Sequence, residues 1–515
     1  MSWQAEVDDI ERRRLLALEL GGPEKVERQR RNGKLTVRER IARMVDEGTF
    51  REEGALSGTA SYDERGDLEG FMAANFLYGR AEVDGRTVLV QGDDFTIRGG
   101  AADGGIKDKM YYAERFAWQW RLPMIRLLDG TGGGGSVKLV EQIGHTYVPE
   151  VRGWDHFLHN LATVPVASVL LGSVAGFGAA RAVMSHYSVM VKETSHMFVA
   201  GPPVVAGMGK TVTKEELGGS AIHTRNGAID DETESEEEAF ARVRRFLSYL
   251  PNSIHELPKR GPVTDDPGRK EEFLLAAVPR NPRRVYRMHQ ILEACLDRDS
   301  LFEIGAKNGP SVITALGRVD GWPVAVLAGN PYVLGGAITA EAAQKIQRFV
   351  DLAQQFHLPV IHFVDCPGMA VGPQSEQATT IRLGARAISA VFQASVPWCS
   401  ILVRKVYGVG GGGHQNGSRA NIRYAWPSAE WGSLPLAGGI EAAYKSDIER
   451  AEDPEAFIQE VRERVTKIAS PFRTAEAFRV ENIIDPRETR PKLVEFVTLA
   501  QSLLTPGSTT WGPRP

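Results

Sequence analysis

Glycine is the most unevenly spread residue type in this chain, and its placement points to backbone chemistry. Clusters stand at GGAADGG (99–105), DGTGGGGS (129–136), AGFG (175–178), GG (335–336) and YGVGGGGHQNG (407–417). Where such a run precedes a helix, the first amides of that helix have no partner within it and carry the positive end of its dipole. Glycine also lets the backbone come close to a bound atom. Amides held in this way stabilise an oxyanion, and one such donor is worth about 10²–10³ in rate. A thioester enolate is an oxyanion of this kind. Taken singly, each cluster reads as a tight turn. Recurrence at matched places favours the chemical reading.

Side-chain chemistry is sparse by comparison. There is no G-x-S-x-G elbow and no G-x-x-x-x-G-K-[ST] phosphate loop, and GGAADGG lacks the spacing of a dinucleotide fingerprint. Cys295, Cys366 and Cys399 form no C-x-x-C pair; His186 and His196 stand ten apart, His357 and His362 five apart. No metal centre is expected from such spacing. The net charge of −4 gives no basic face for nucleic acid. No apolar run reaches the roughly 18 residues of a membrane span. The opening MSWQAEVDDIERRRLLALEL has early acids and no signal-type apolar core, and transit peptides are poor in acids. A cytoplasmic protein is expected, with the mitochondrial matrix as the alternative.

The elements that must position these turns occur twice. Gly79-Arg80-Ala81-Glu82-Val83-Asp84-Gly85 returns as Gly317-Arg318-Val319-Asp320-Gly321. Asp84, Gly99-Gly100, Lys109, Leu122-Pro123 and Asp129 all recur 236 residues later, as Asp320, Gly335-Gly336, Lys345, Leu358-Pro359 and Asp365. Further on the offset becomes 232: Val164-Pro165 matches Val396-Pro397, and Ala175-Gly176-Phe177-Gly178 matches Tyr407-Gly408-Val409-Gly410. One register kept over some 50 residues marks a duplication. Each copy reads as a strand pair with a D-G turn, a glycine turn into a helix, a buried strand ending in Asp, a second helix, then strand and glycine turn again. The fold class is α/β, a tandem pair of like domains. We expect an N-terminal helical segment (1–29), a first domain (30–255), a linker (256–274) and a second domain (275–510). DDETESEEE (230–238) reads as a solvated acidic run.

At these residues the chain resembles the carboxyltransferase β subunits of biotin-dependent acyl-CoA carboxylases, the propionyl-CoA and methylcrotonyl-CoA type. The similarity runs from about residue 10 to 500. It rests on ERQRRNGKLTVRERI (27–41), DDFTIRGGA (93–101), VKETSHMFVAGPPVV (191–205), KEELGGSAIHT (214–224), FVDCPGM (363–369), YAWPSAE (424–430) and IIDPRETRPKL (483–493), in that order. The resemblance implies a crotonase-type fold in each half. It implies that carboxybiotin, carried on a partner subunit, releases CO2, that the biotin anion takes the α proton of an acyl-CoA, and that the thioester enolate captures the CO2. It implies no metal, a biotin carboxylase and carboxyl-carrier (α) partner, and a homo-hexamer of these subunits within a hetero-oligomer. Consistently, no A/V-M-K-M biotinylation motif occurs.

By the same resemblance, one oxyanion hole falls on the first half's turn, Thr131-Gly132-Gly133-Gly134, with Gly132 and Gly133 as donors to the thioester. The other falls on Tyr407-Gly408-Val409-Gly410, with the amides of Val409 and Gly410 serving biotin. Gly134, Gly176, Phe177, Gly178, Tyr407 and Gly408 are the expected substrate contacts, and Lys109, beside Lys107, is a candidate for the CoA phosphates or a structural lysine. The chain departs from the family in three places. Its first turn is one residue longer, Phe177 replaces a glycine, and GVGGGGHQNGS is richer in glycine, which gives either a wider acyl pocket or a looser loop. YGVG is nearer the methylcrotonyl type and KSDIERAEDPEA the propionyl type, so the acyl group stays open. Two other readings are carried: a subunit of a sodium-pumping, biotin-dependent acyl-CoA decarboxylase, and a non-catalytic scaffold paralogue, for which Phe177 is the support.

Overall fold

Continuous apolar runs become the centre of two sheets, because a strand covered on both faces has no solvent side to alternate toward. The computed structural model describes residues 2–101, 106–130, 140–141, 144–146, 148, 150–282 and 284–509, without the side chains of 107, 436 and 437. The chain forms two compact units, Met1–Glu256 and Leu257–Thr509.

The first unit is built on a seven-stranded sheet whose spatial order follows the chain: Arg51–Glu52, Phe76–Val83, Arg86–Asp93, Met124–Leu128, Val166–Leu170, Tyr187–Val191 and Asp231–Thr233. The first two pairings are antiparallel and the rest parallel. The parallel steps are crossed by helices, among them Lys107–Trp120 and Trp154–Thr163. Met124–Leu128, Val166–Leu170 and Tyr187–Val191 are buried at every position. Ahead of the sheet lie helices Gln4–Leu18 and Pro23–Arg31, then Val37–Met44, which Thr36 and Glu39 start with a reciprocal capping box.

The second unit repeats this plan: Phe302–Glu303, Val312–Val319, Trp322–Gly329, Val360–Cys366, Trp398–Tyr407, Ile422–Ala425 and Asn482–Ile483, again in chain order. Its crossings use Ala340–Gln355 and Thr380–Gln393. The match reaches single residues. Both hairpins turn on Asp-Gly with positive φ at each position, 52° and 72° at Asp84-Gly85, 51° and 76° at Asp320-Gly321. That is the turn whose twist suits paired strands. In each unit one upstream carboxylate, Asp46 or Asp297, accepts from both turn amides. After the sheet's central strand, Ser173–Ala175 pairs with His196–Phe198 in the first unit, as Lys405–Tyr407 pairs with Glu430–Gly432 in the second.

Two stretches differ from their sequence reading. DDETESEEE is not a solvated run. Asp231–Thr233 is the last strand of its sheet, and Asp230, Asp231 and Glu236 are buried. Burial is tolerated because each carboxylate has its partner: Asp230 accepts from Ser188, Asp231 from Tyr187 and Arg242, and Glu236 from Arg40. The Pro- and Gly-bearing stretch after Leu257 is fastened to the second unit. Gly261 N–H donates to Gly321 O at 2.9 Å, and Asp265 pairs with Arg269 at 2.9 Å and Arg490 at 3.6 Å.

Candidate active site

Three segments of the second unit converge where its central strands end. The strand Val360–Cys366 runs into the turn Cys366-Pro367-Gly368-Met369. Ile338 bridges to Met369, its amide donating to Gly368 O at 3.0 Å while Ala370 N–H returns to Ile338 O at 2.9 Å. The strand Trp398–Tyr407 ends at Gly408, whose φ of +59° turns the chain into the short helix Gly408–Gly412. The start of that helix lies against the Cys366–Met369 turn. A Cβ on Gly410 would stand 2.9 Å from the Gly368 carbonyl carbon and 3.0 Å from Met369 N. Glycine at 410 is therefore a requirement of close approach. Among the described residues, nothing accepts from the amides of Val409 and Gly410. The Val409 side chain is 67% exposed, so its identity leaves the backbone free to act.

The first unit holds the counterpart. Ser173–Ala175 leads to Gly176, with φ of +56°, and then to helix Phe177–Val183. Gly176 N–H donates to Phe198 O at 3.1 Å, and its carbonyl receives Ala180 N–H at 3.0 Å. The amides of Phe177 and Gly178 have no acceptor among the described residues. The Phe177 ring turns into the unit, edge-on to Phe157 at 5.8 Å and 6.4 Å from Trp154. A bulky residue at 177 thus keeps the amide and adds an anchor. Residues 131–139, which include Gly132, Gly133 and Gly134, lie outside the described residues.

Each unit also has a buried aspartate at the end of a central strand, Asp129 after Met124–Leu128 and Asp365 in Val360–Cys366. Asp129 is fully buried and bound by Arg40 at 2.7 Å, Lys34 at 2.7 Å and Gln29 at 3.1 Å. Arg40 spans from Asp129 to Glu236, also at 2.7 Å, and donates to Leu171 O. A Cβ on Gly172 would fall 1.8 Å from Asp129 Oδ1, so glycine there makes room for the carboxylate. Asp365, the repeat partner, takes the Tyr286 hydroxyl at 2.7 Å and the Lys405 amide at 3.1 Å. Burial raises its pKa. The adjoining glycines match too: Gly100 and Gly336 have φ of +66° and +86°, and a Cβ on either would strike the carbonyl oxygen of Asp129 or Asp365 at 2.7 and 2.4 Å.

Lys109 is turned inward. It lies 3.9 Å from Glu52 and against Gly54, and burial lowers its pKa to about 8. Lys345, its partner in the repeat, donates to the carbonyls of Gly305, Asn308 and Val312 at 2.7–3.0 Å. Among the described residues no cluster of three metal-ligating side chains occurs, and no helix is long and apolar enough to cross a membrane.

Behind the Gly408–Gly412 helix is a cavity of about 40 Å³, lined by Gly410, Gly413, Ile338, Ile388, His362 and His414 among others. Burial pushes both imidazoles down to about pKa 4. The unfolded value is about 6.5. Between those limits the unfolded chain binds more protons, so stability is complete above pH 6.5 and falls as pH drops toward 4. Melting of the wild-type chain from pH 7.5 to 4.5 is expected to fall more steeply than that of a H362N/H414N double variant. Parallel curves would contradict this.

A family model described as carboxyl transferase domain matches residues 28–505. The propionyl-CoA carboxylase carboxyltransferase subunit of Haloferax mediterranei is 32% identical, over 98% of this chain and 97% of its own. The methylmalonyl-CoA decarboxylase subunit alpha of Veillonella parvula is 29% identical over 94% and 93%. Among solved structures, the transcarboxylase 12S hexamer with methylmalonyl-CoA and methylmalonic acid bound superposes with a TM-score of 0.89 at 26% identity, covering 100% of this chain and 99% of that one. These crotonase-type carboxyltransferases share the two-sheet plan described above.

Proposed function

Since the chain belongs to the carboxyl transferase domain family, we propose that it moves a carboxyl group onto the α carbon of a short acyl-CoA, propionyl-CoA first, as one subunit of a hetero-oligomer. Carboxybiotin on a partner subunit supplies the carboxyl group. The observation that carries this reading is the pair of matched amide turns, Phe177-Gly178 and Val409-Gly410, each at a strand end and each with no acceptor among the described residues. Their geometry suits an oxygen that gains charge, because fixed dipoles cost no reorganisation during reaction. The Phe177 and Gly178 amides receive the thioester oxygen as the α proton leaves. Those of Val409 and Gly410 receive the ureido oxygen of the carrier's biotin. This reading takes Phe177-Gly178, which match Val409-Gly410 in the repeat, as the first donor pair in place of the expected Gly132-Gly133, which lie outside the described residues.

The choice of propionyl-CoA follows the relatives: one named for that substrate, one acting on methylmalonyl-CoA, and a structure holding methylmalonyl-CoA. A hexamer of this subunit follows the transcarboxylase assembly. The decarboxylase relative supports a second reading, in which the same site runs from methylmalonyl-CoA toward propionyl-CoA. The test is an acyl-CoA panel with the subunit reconstituted on its biotin-bearing partner and labelled bicarbonate. Label in methylmalonyl-CoA is expected. Release of CO2 from methylmalonyl-CoA, without ATP-dependent incorporation, would favour the second reading. No turnover on any acyl-CoA would defeat both.

A further inference from the structure

The segment that carries the second amide pair is a short helix, Gly408–Gly412, with little side-chain support of its own. Four consecutive glycines, 410–413, follow Val409. Glycine loses more freedom on ordering than any other residue, and a helix of five residues supplies few bonds of its own. Two histidines tie it down. His414 Nδ1 donates to Gly411 O at 2.7 Å, and that same carbonyl takes the His414 amide at 3.2 Å. His362, on the central strand Val360–Cys366, donates from Nδ1 to His414 O at 3.0 Å. Because both acceptors are carbonyls, each ring carries its proton on Nδ1. The chain of bonds therefore runs from the sheet through His362 and His414 to the glycine helix.

His414 is 7% exposed. Its Nε2 is buried without a partner among the described residues, and the ring lines the cavity that Gly410 and Gly413 also line. An imidazole is kept in an apolar chamber only at a cost, and the Nδ1 bond is the return visible in the structure. We propose that His414, steadied by His362, is a positioning residue that holds the Val409 and Gly410 amides in the orientation used for carboxyl transfer. This rests on the function proposed above for those amides; the tether itself does not.

Asparagine reproduces the Nδ1 donor of histidine in place, and leucine keeps volume without it. The experiment compares His414→Asn and His414→Leu, with His362→Leu, which removes the donor to His414 O, as a second probe should the first leucine variant fold poorly. Hydrogen exchange of the peptide covering 407–416 is followed by mass spectrometry in the holoenzyme. Initial rates of propionyl-CoA carboxylation are measured alongside. His414→Leu is expected to speed exchange there and to lower kcat on the order of 10- to 10²-fold, with KM for propionyl-CoA near wild type, since misplacement by an ångström has costs of that order. His414→Asn is expected to restore both. Wild-type exchange in His414→Leu, or an asparagine variant no better than leucine, overturns the proposal. Faster exchange in His414→Leu together with no carboxyl transfer by the wild-type holoenzyme would instead overturn the functional reading and leave the tether standing.

Discussion

Val409→Pro is expected to lower kcat for carboxyl transfer by about 10²–10³, the value of one fixed oxyanion donor. Proline removes one amide at this site. Position 409 lies in the first turn of its helix, where proline is tolerated because that amide has no partner within the helix. The side chain is 67% exposed, so the ring meets no packed neighbour. Gly410→Pro would remove a second amide but would also drive a Cβ to 2.9 Å from the Gly368 carbonyl, mixing loss of a donor with displacement of the turn. Val409→Pro is the cleaner measurement. KM for the acyl-CoA should move little if the lost bond strengthens as charge develops. A rate within threefold of wild type, in a variant that melts normally, would remove Val409 from the donor pair.

Arg40→Leu should destabilise the first unit by about 3–5 kcal/mol, the usual cost of breaking a buried ion pair from one side. Arg40 is 1% exposed and lies between Asp129 and Glu236, both at 2.7 Å. Removing it strands Glu236 and leaves Asp129 with Lys34 and Gln29. For a unit of this size each kcal/mol is worth about 2–4 °C in Tm, so the transition of this unit should fall by roughly 10 °C. Asp129 directly precedes Gly130 and the glycine turn, so activity should suffer below the melting point as well. A Tm shift under about 2 °C would mean that the network is dispensable. The second unit reaches the same end by other means, a tyrosine hydroxyl on Asp365.

The duplication was legible because it leaves identical residues at positions where the backbone has no choice. The D-G turns need positive φ, and Gly100 and Gly336 have carbonyls where a Cβ would be. Those constraints keep one spacing through both copies. The acidic run was misread for a physical reason. Charge pattern reports exposure only when no partner is available, and the partners of Asp231 and Glu236 come from Tyr187, Arg242 and Arg40, the last nearly 200 residues away. The donor pair proposed at Phe177-Gly178 follows from the repeat, since Ala175-Gly178 and Tyr407-Gly410 stand at one offset; the expected pair Gly132-Gly133 lies outside the described residues. The role of Phe177 was not readable in advance, because only the fold shows its ring directed at Phe157 and Trp154. The histidine tether was equally hidden. His362 and His414 are 52 residues apart and meet only once the sheet forms.

The central claim is that this subunit alone moves the carboxyl group, through backbone amides. The most direct test is a single turnover with carrier protein already carboxylated with ¹⁴C on its biotin, mixed with this subunit and propionyl-CoA in the absence of ATP. The account predicts that label leaves the carrier and appears in methylmalonyl-CoA, and that Val409→Pro slows this step in proportion to its loss in kcat. Label that stays on the carrier, or transfer at an unchanged rate in Val409→Pro, would contradict it.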